Sequence, residues 1–149
     1  MINSFFLVDD DKDDTELFAD ALKDIDLSIE FNYAFNCEGL TNGLLQDKIN
    51  PQIIFLDINM PGMSGWECLE TLKNDVKTKD IPIIMYSTSS AILDGKKAIR
   101  SGAIGFYEKP SRFEWLKEFL EMVAISSPGT LRSTLKKLEG SKSHRIYLE

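Results

Sequence analysis

Acidic side chains at two places and a lysine at a third are the groups best suited to chemistry in this chain. Asp9, Asp10 and Asp11 follow the apolar run Ser4–Val8, Asp57 follows Ile53–Leu56, and Lys109 stands just past Ile104–Tyr107. Like charges crowded at a strand end are costly unless a cation sits on them. Magnesium suits such oxygen ligands, because it needs few carboxylates and keeps several of its waters. A metal so held attracts a phosphoryl group and neutralises charge that develops during its transfer. Lys109 adds a point positive charge, and a hydroxyl from Ser87 or Thr88 can contact a phosphoryl oxygen. A carboxylate can itself be the nucleophile and become an acyl phosphate. Asp57 stands alone after its run and is the candidate nucleophile; Asp9 and Asp10 form a pair suited to metal.

These residues need elements that bring them together. Apolar runs near 3–8, 29–35, 52–57, 82–87 and 104–108 read as strands. Helical patterns fall near 14–25, 38–47, 65–75, 91–101 and 112–125. Five βα units in alternation predict a five-stranded parallel sheet covered by helices on both faces. Ligands of such α/β sheets bind outside the carboxyl ends of the strands. Asp9, Asp10, Asp57, Ser87 or Thr88, and Lys109 all fall at such ends, from four different strands.

Helix starts are marked by an oxygen-bearing cap with an acid three residues on: Asp13 with Glu16, Ser64 with Glu67, Ser111 with Glu114. Leu17, Phe18, Ala21, Leu22 and Ile25 give the first helix its apolar side. Leu116, Phe119, Leu120 and Val123 do so for the fifth, with Trp115 and Met122 partly off that face and open to a partner. Gly102 is placed to cap the fourth helix in a left-handed conformation. Gly95 inside that helix weakens it by about 1 kcal/mol relative to alanine, making it the softest of the five. Ser126-Ser127-Pro128-Gly129 is a break. It divides a domain at 1–127 from an extension at 128–149. Within the extension, Leu131, Leu135 and Leu138 predict a short amphipathic helix over 130–139 packed on the domain, followed by a polar tail.

Composition narrows the function classes. The chain has 149 residues, enough for one domain with a real core. Its net charge of −7 is uneven, −10 over residues 1–129 and +3 over 130–149, so the acidic body argues against nucleic-acid binding. No apolar stretch is long enough to cross a bilayer and no basic-then-apolar leader is present, so a soluble, cytoplasmic protein is expected. Cys37 and Cys68 are expected as free thiols in or near the core. With His144 as the one histidine, set in the tail, a histidine-based zinc or iron site is disfavoured. Met60, Met63 and Trp66 read as loop and helix packing.

The motifs point to a family. Leu7-Val8-Asp9-Asp10, Leu56-Asp57-Ile58-Asn59-Met60-Pro61-Gly62-Met63-Ser64-Gly65, Pro82-Ile83-Ile84-Met85-Tyr86-Ser87-Thr88 and Phe106-Tyr107-Glu108-Lys109-Pro110 together resemble the receiver domain of two-component response regulators, single-domain CheY-like type. The resemblance covers roughly residues 3–125. It implies a flavodoxin-like doubly wound (βα)5 fold with strand order 2-1-3-4-5, plus the short C-terminal helix. It also implies roles. Asp57 is the phospho-acceptor. Mg²⁺ is the cofactor, held by Asp10, Asp57 and the backbone carbonyl of Asn59, with Asp9 acting through water. Lys109 contacts the phosphoryl group, and the bond before Pro110 is cis. Ser87 is the switch hydroxyl. Phe106 falls on the aromatic switch position and reads equally as a plain core aromatic. Asp11 is left as a solvated bystander charge.

The function expected is that of a stand-alone response regulator. It takes a phosphoryl group from phosphohistidine and signals by a conformational switch and protein contact, or relays the group onward. It is no enzyme beyond slow self-dephosphorylation, and the extension is too short for a DNA-binding output domain. Its partners would be a histidine kinase or phosphotransfer protein and an unidentified downstream protein, with no nucleic acid and no membrane. A homodimer through the fourth helix, fifth strand and fifth helix is left open. The alternative is a phosphorylation-independent pseudo-receiver, which predicts a gap among the acids or the lysine; none is visible. An aspartate-nucleophile phosphatase would want a second acid at position 59, which is asparagine. A flavodoxin would need a phosphate cradle after the first strand, where this chain is acidic.

Overall fold

The structure is a computed structural model that describes residues 1–46 and 48–148. Five βα units follow one another. They are β1 (Ser4–Val8) and α1 (Lys12–Ile25), β2 (Glu30–Ala34) and α2 (Cys37–Leu45), β3 (Ile53–Leu56) and α3 (Gly65–Lys73), β4 (Ile83–Ser87) and α4 (Ala91–Arg100), β5 (Gly105–Glu108) and α5 (Phe113–Ile125). The last position of the expected second helix, 47, lies outside the described residues. The sheet runs β2-β1-β3-β4-β5, all parallel, and carries a sixth strand, β6 (Ile146–Tyr147), antiparallel on β5. Between β5 and β6 in the chain, α6 (Leu131–Glu139) follows α5.

Burial explains the sequence pattern. Every residue of β1, β3 and β4 is buried, because helices cover both faces, and their sequences are correspondingly near-continuous apolar runs. Strand β2 is an edge, and none of its residues is fully buried. Alternate residues of β1 enter different cores. Phe5 and Leu7 join Phe18, Phe55, Phe119 and Leu120 under α1 and α5, while Phe6 and Val8 join Leu40, Leu69 and Ala98 under α2, α3 and α4.

Helix ends depart from expectation in instructive ways. Helix α1 starts two residues early, at Lys12. Asp11 is its N-cap, accepting from the backbone N–H of Asp13 and of Asp14, so Asp11 is a helix cap rather than a bystander charge. A second acid at the right spacing, Asp13, disguised the true cap. Ser64 forms the expected reciprocal box with Glu67. Ser111 does not cap: α5 begins at Phe113, after Arg112, with no side-chain cap. Gly102 has the expected positive φ of 104°. Leu17 is 44% exposed rather than part of the α1 core face. The Lys109–Pro110 bond is trans; no cis peptide occurs among the described residues.

The largest corrections concern the cysteines and the tail. Cys37 and Cys68, expected as free thiols, form a disulfide across the start of α2 and the body of α3. Their types and spacing give no sign of this, because the helices that carry them are neighbours only in the folded sheet. The segment after Gly140 is not a solvated tail. Strand β6 closes the β5 edge, and His144 is 1% exposed. The leucines of α6 are buried as expected, in the same core as α1 and α5. Met122 packs against that core, and Trp115 is half-buried beneath the Arg112 guanidinium.

Candidate functional site

Parallel strands bring the candidate residues to one end of the sheet. Residues Val8, Leu56 and Met85 lie in register across β1, β3 and β4, and Ser87 faces Glu108 across β4 and β5. The chain therefore leaves β1 at Asp9, β3 at Asp57 and β5 at Lys109 side by side. Carboxylate oxygens of Asp9, Asp10 and Asp57 lie within 4.8 Å of one another.

Asp57 is buried, and its Oδ1 accepts from the Ile58 N–H at 2.8 Å. Gly65 explains why the loop after it ends in glycine. The Gly65 N–H donates to the Ile58 carbonyl at 2.8 Å, and a Cβ at 65 would overlap the Asp57 carbonyl oxygen. Gly62 in the same loop has φ 75°, which favours glycine. Loop and helix start are thereby held against the back of Asp57, with the exposed Asn59 beside it.

Asp9 is fully buried. Its Oδ1 accepts from the Asp11 N–H at 2.9 Å. Its Oδ2 lies 2.7 Å from Lys109 Nζ but off the hydrogen-bonding axis, so this buried oxygen has no aligned donor among the described residues. Lys109 also reaches Asp14 Oδ2 at 2.8 Å and stands 3.9 Å from Asp57 Oδ2. Its ammonium lies over the Tyr86 ring, 5.4 Å from the centroid.

Charge is finely divided here. Burial pushes the Asp9 carboxyl up to about 6, against the opposing pull of Lys109. Burial also raises Asp57, again opposed by Lys109, with a smaller downward contribution from the Ser87 hydroxyl. Burial acts to lower Lys109, but the contacts with Asp14 and Asp9 override it, and its pKa is raised. One cation thus serves three carboxylates, two of them disfavoured as anions. The donor set of clustered carboxylates with a buried, unaligned oxygen fits a hard divalent cation.

Most of the expected residues converge. Asp9, Asp10, Asp57 and Lys109 share the crevice, and the Ser87 hydroxyl is buried against Asp57. Thr88 is exposed. Phe106 does not reach the crevice; it is buried beneath α4 with Met85 and Ala98. Asp14 was missed. The signal for it was available, since a first-turn acid on a helix that starts directly after Asp9–Asp11 must sit at the same sheet end.

A doubly wound sheet ordered 2-1-3-4-5, with an acid cluster and one lysine at its carboxyl end, defines a CheY-like receiver domain. The response regulator receiver domain family matches residues 5–121, and the chain belongs to that family. Chemotaxis protein CheY1 of Helicobacter pylori is 32% identical over 79 residues, covering 53% of this chain and 64% of CheY1. Among solved structures, the phosphorylated cyanobacterial phytochrome response regulator RcpA aligns with TM-score 0.75 at 25% identity, over 85% of this chain and 96% of that one. The Mn(2+)-bound form of response regulator Rcp1 aligns with TM-score 0.65 at 22% identity, over 99% of both chains, and shares the fold. The chain spans less than two thirds of the length of the curated relatives it matches first.

Proposed function

We propose that the protein is a phospho-accepting response regulator in which Asp57 takes a phosphoryl group from the phosphohistidine of a kinase or phosphotransfer protein. The observation that carries this reading is the convergence on Asp57 of two further acids, Lys109 and the Ser87 hydroxyl at the end of the sheet. An Asp57 carboxylate oxygen attacks phosphorus, the P–N bond breaks, and its electron pair leaves on the imidazole nitrogen, which takes up a proton. Asp57 becomes an acyl phosphate.

Asp10, Asp57 and the Asn59 carbonyl would hold Mg²⁺ directly, and Asp9 would do so through water. The ion would neutralise charge on the transferring oxygens. The protein's own groups do the rest. Lys109 moves from shared contacts with Asp9 and Asp14 toward a phosphoryl oxygen, and Ser87 donates its hydroxyl to another. Water reaching the acyl phosphate returns Asp57 slowly to the free acid. A phosphohistidine donor of this kind would be met in the cytoplasm, which is the compartment this reading implies. Phosphorylated Asp57 would signal through contact with a downstream protein or pass the group on.

With Mg²⁺ and acetyl phosphate, intact-mass measurement is expected to show one added phosphoryl group on the parent and none on Asp57→Asn. An equal gain in the variant would assign the acceptor elsewhere.

A further inference from the structure

Three consecutive residues of β5 hold the C-terminal segment, and the residue just past the strand is Lys109. Phe106 pairs with Tyr147 and Tyr107 with Ile146 in the β5–β6 ladder. The Glu108 N–H donates to the Arg145 carbonyl at 2.9 Å. Next in the chain, the Lys109 N–H donates to the Ser87 carbonyl at 2.8 Å, and its side chain enters the acid site.

The segment is seated in a built receptor. The Tyr107 hydroxyl and His144 Nδ1 are 2.9 Å apart, and His144 Nε2 lies 3.1 Å from Glu118 Oε1 on α5. Tyr107 itself stacks on Phe119 at 3.7 Å between centroids. Two glycines are cut away to receive the segment. A Cβ at Gly95 in α4 would overlap the Tyr147 ring, and one at Gly105 would come 2.8 Å from Leu148 Cδ2. Gly95, a flaw in an isolated helix, is therefore the socket for Tyr147. Ile146 and Leu148 pack toward the core under α5 and α6, while Tyr147 joins the core under α4 that contains Phe106.

We propose that residues 141–148 are a latch, docked on α4, β5 and α5 while Asp57 is free and loosened when Asp57 is phosphorylated. This rests on the assignment of Asp57 as acceptor. The docked arrangement satisfies its hydrogen bonds in the geometry where Lys109 is shared between Asp9 and Asp14. Anionic phosphoryl oxygens on Asp57 draw Lys109 and Ser87 to themselves. Glu108 pairs with Ser87 across β4 and β5, directly precedes Lys109 and carries a latch hydrogen bond, so displacement there is felt in the latch first. Coupling is reciprocal: a weakened latch favours phosphorylation by the factor that phosphorylation weakens the latch.

Hydrogen exchange read by mass spectrometry on the full chain, with Mg²⁺ and with or without acetyl phosphate, tests this. Exchange over residues 144–148 is expected to rise about tenfold on phosphorylation. Gly95→Ala, which fills the Tyr147 socket, is expected to exchange fast there without phosphodonor and to hold a larger phosphorylated fraction than the parent in equilibrium with the same limiting phosphodonor. If β1 and β3 also exchange fast in that variant, His144→Ala replaces it with the same two expectations. A parent that gains one phosphoryl group with unchanged exchange over 144–148 overturns the latch alone. A parent that gains none overturns both the latch and the reading of Asp57.

Discussion

Substituting Asp9→Asn tests whether the site is strained by its own charge. Asparagine keeps an oxygen for the Asp11 N–H but cannot ionise. In the folded protein the Asp9 carboxyl is pushed from 3.8 up to about 6. Between those values the folded state holds a proton that the unfolded chain has released. The contribution of Asp9 to stability is thus complete below pH 3.8 and lost as pH rises through about 6. A shift of this size corresponds to roughly 3 kcal/mol. The assay is urea unfolding followed by the fluorescence of Trp66 and Trp115 in metal-free buffer. Stability of the parent minus that of the variant should fall by roughly 3 kcal/mol from about pH 4 to about pH 7. Saturating Mg²⁺ at neutral pH, which favours the ionised site, should stabilise the parent by about 2.7 kcal/mol at a hundred times Kd, and the variant by less at the same concentration. A difference that stays flat with pH would refute the idea that burial dominates at Asp9.

Lys109→Met removes the counter-charge from a buried carboxylate, and should destabilise the protein by roughly 3 kcal/mol at neutral pH and less near pH 5, where Asp9 takes a proton; urea unfolding at the two pH values reads the difference. The Cys37–Cys68 bond closes a separation of 31 residues. Its reduction should lower stability by roughly 3–4 kcal/mol on chain-entropy grounds, read as a lower melting temperature with dithiothreitol in the parent and an unchanged one in Cys37→Ser.

What could be read in the sequence was what repeats along it. Buried parallel strands write themselves as apolar runs, and the residue that follows each run must lie at the carboxyl end; Asp9, Asp57 and Lys109 were legible for that reason. Pairings between distant elements were not. Cys37 meets Cys68 because α2 and α3 cover the same face, and nothing at either cysteine announces it. Strand β6 is two residues long, too short for alternation to register. His144, amid Ser141, Lys142, Ser143 and Arg145, has the composition of a solvated tail. Its burial depends on a tyrosine and a glutamate far away in the chain. Gly95 was legible as a defect but not as a socket, because its partner lies in that same unread segment.

Strand β6 also bears on how the protein behaves at high concentration. Without it, β5 would be a sheet edge, a row of open N–H and C=O groups on the buried sequence Gly-Phe-Tyr. Such edges template pairing with other chains and are usually guarded by charge or covered. The opposite edge, β2, carries the exposed Glu30 and the half-buried Asn32. The β5 side has no comparable guard within its strand until Glu108, and the chain supplies a cover instead. Lifting that cover would create an adhesive edge, so colloidal stability, light scattering and filament formation become physical readouts of whether β6 is in place.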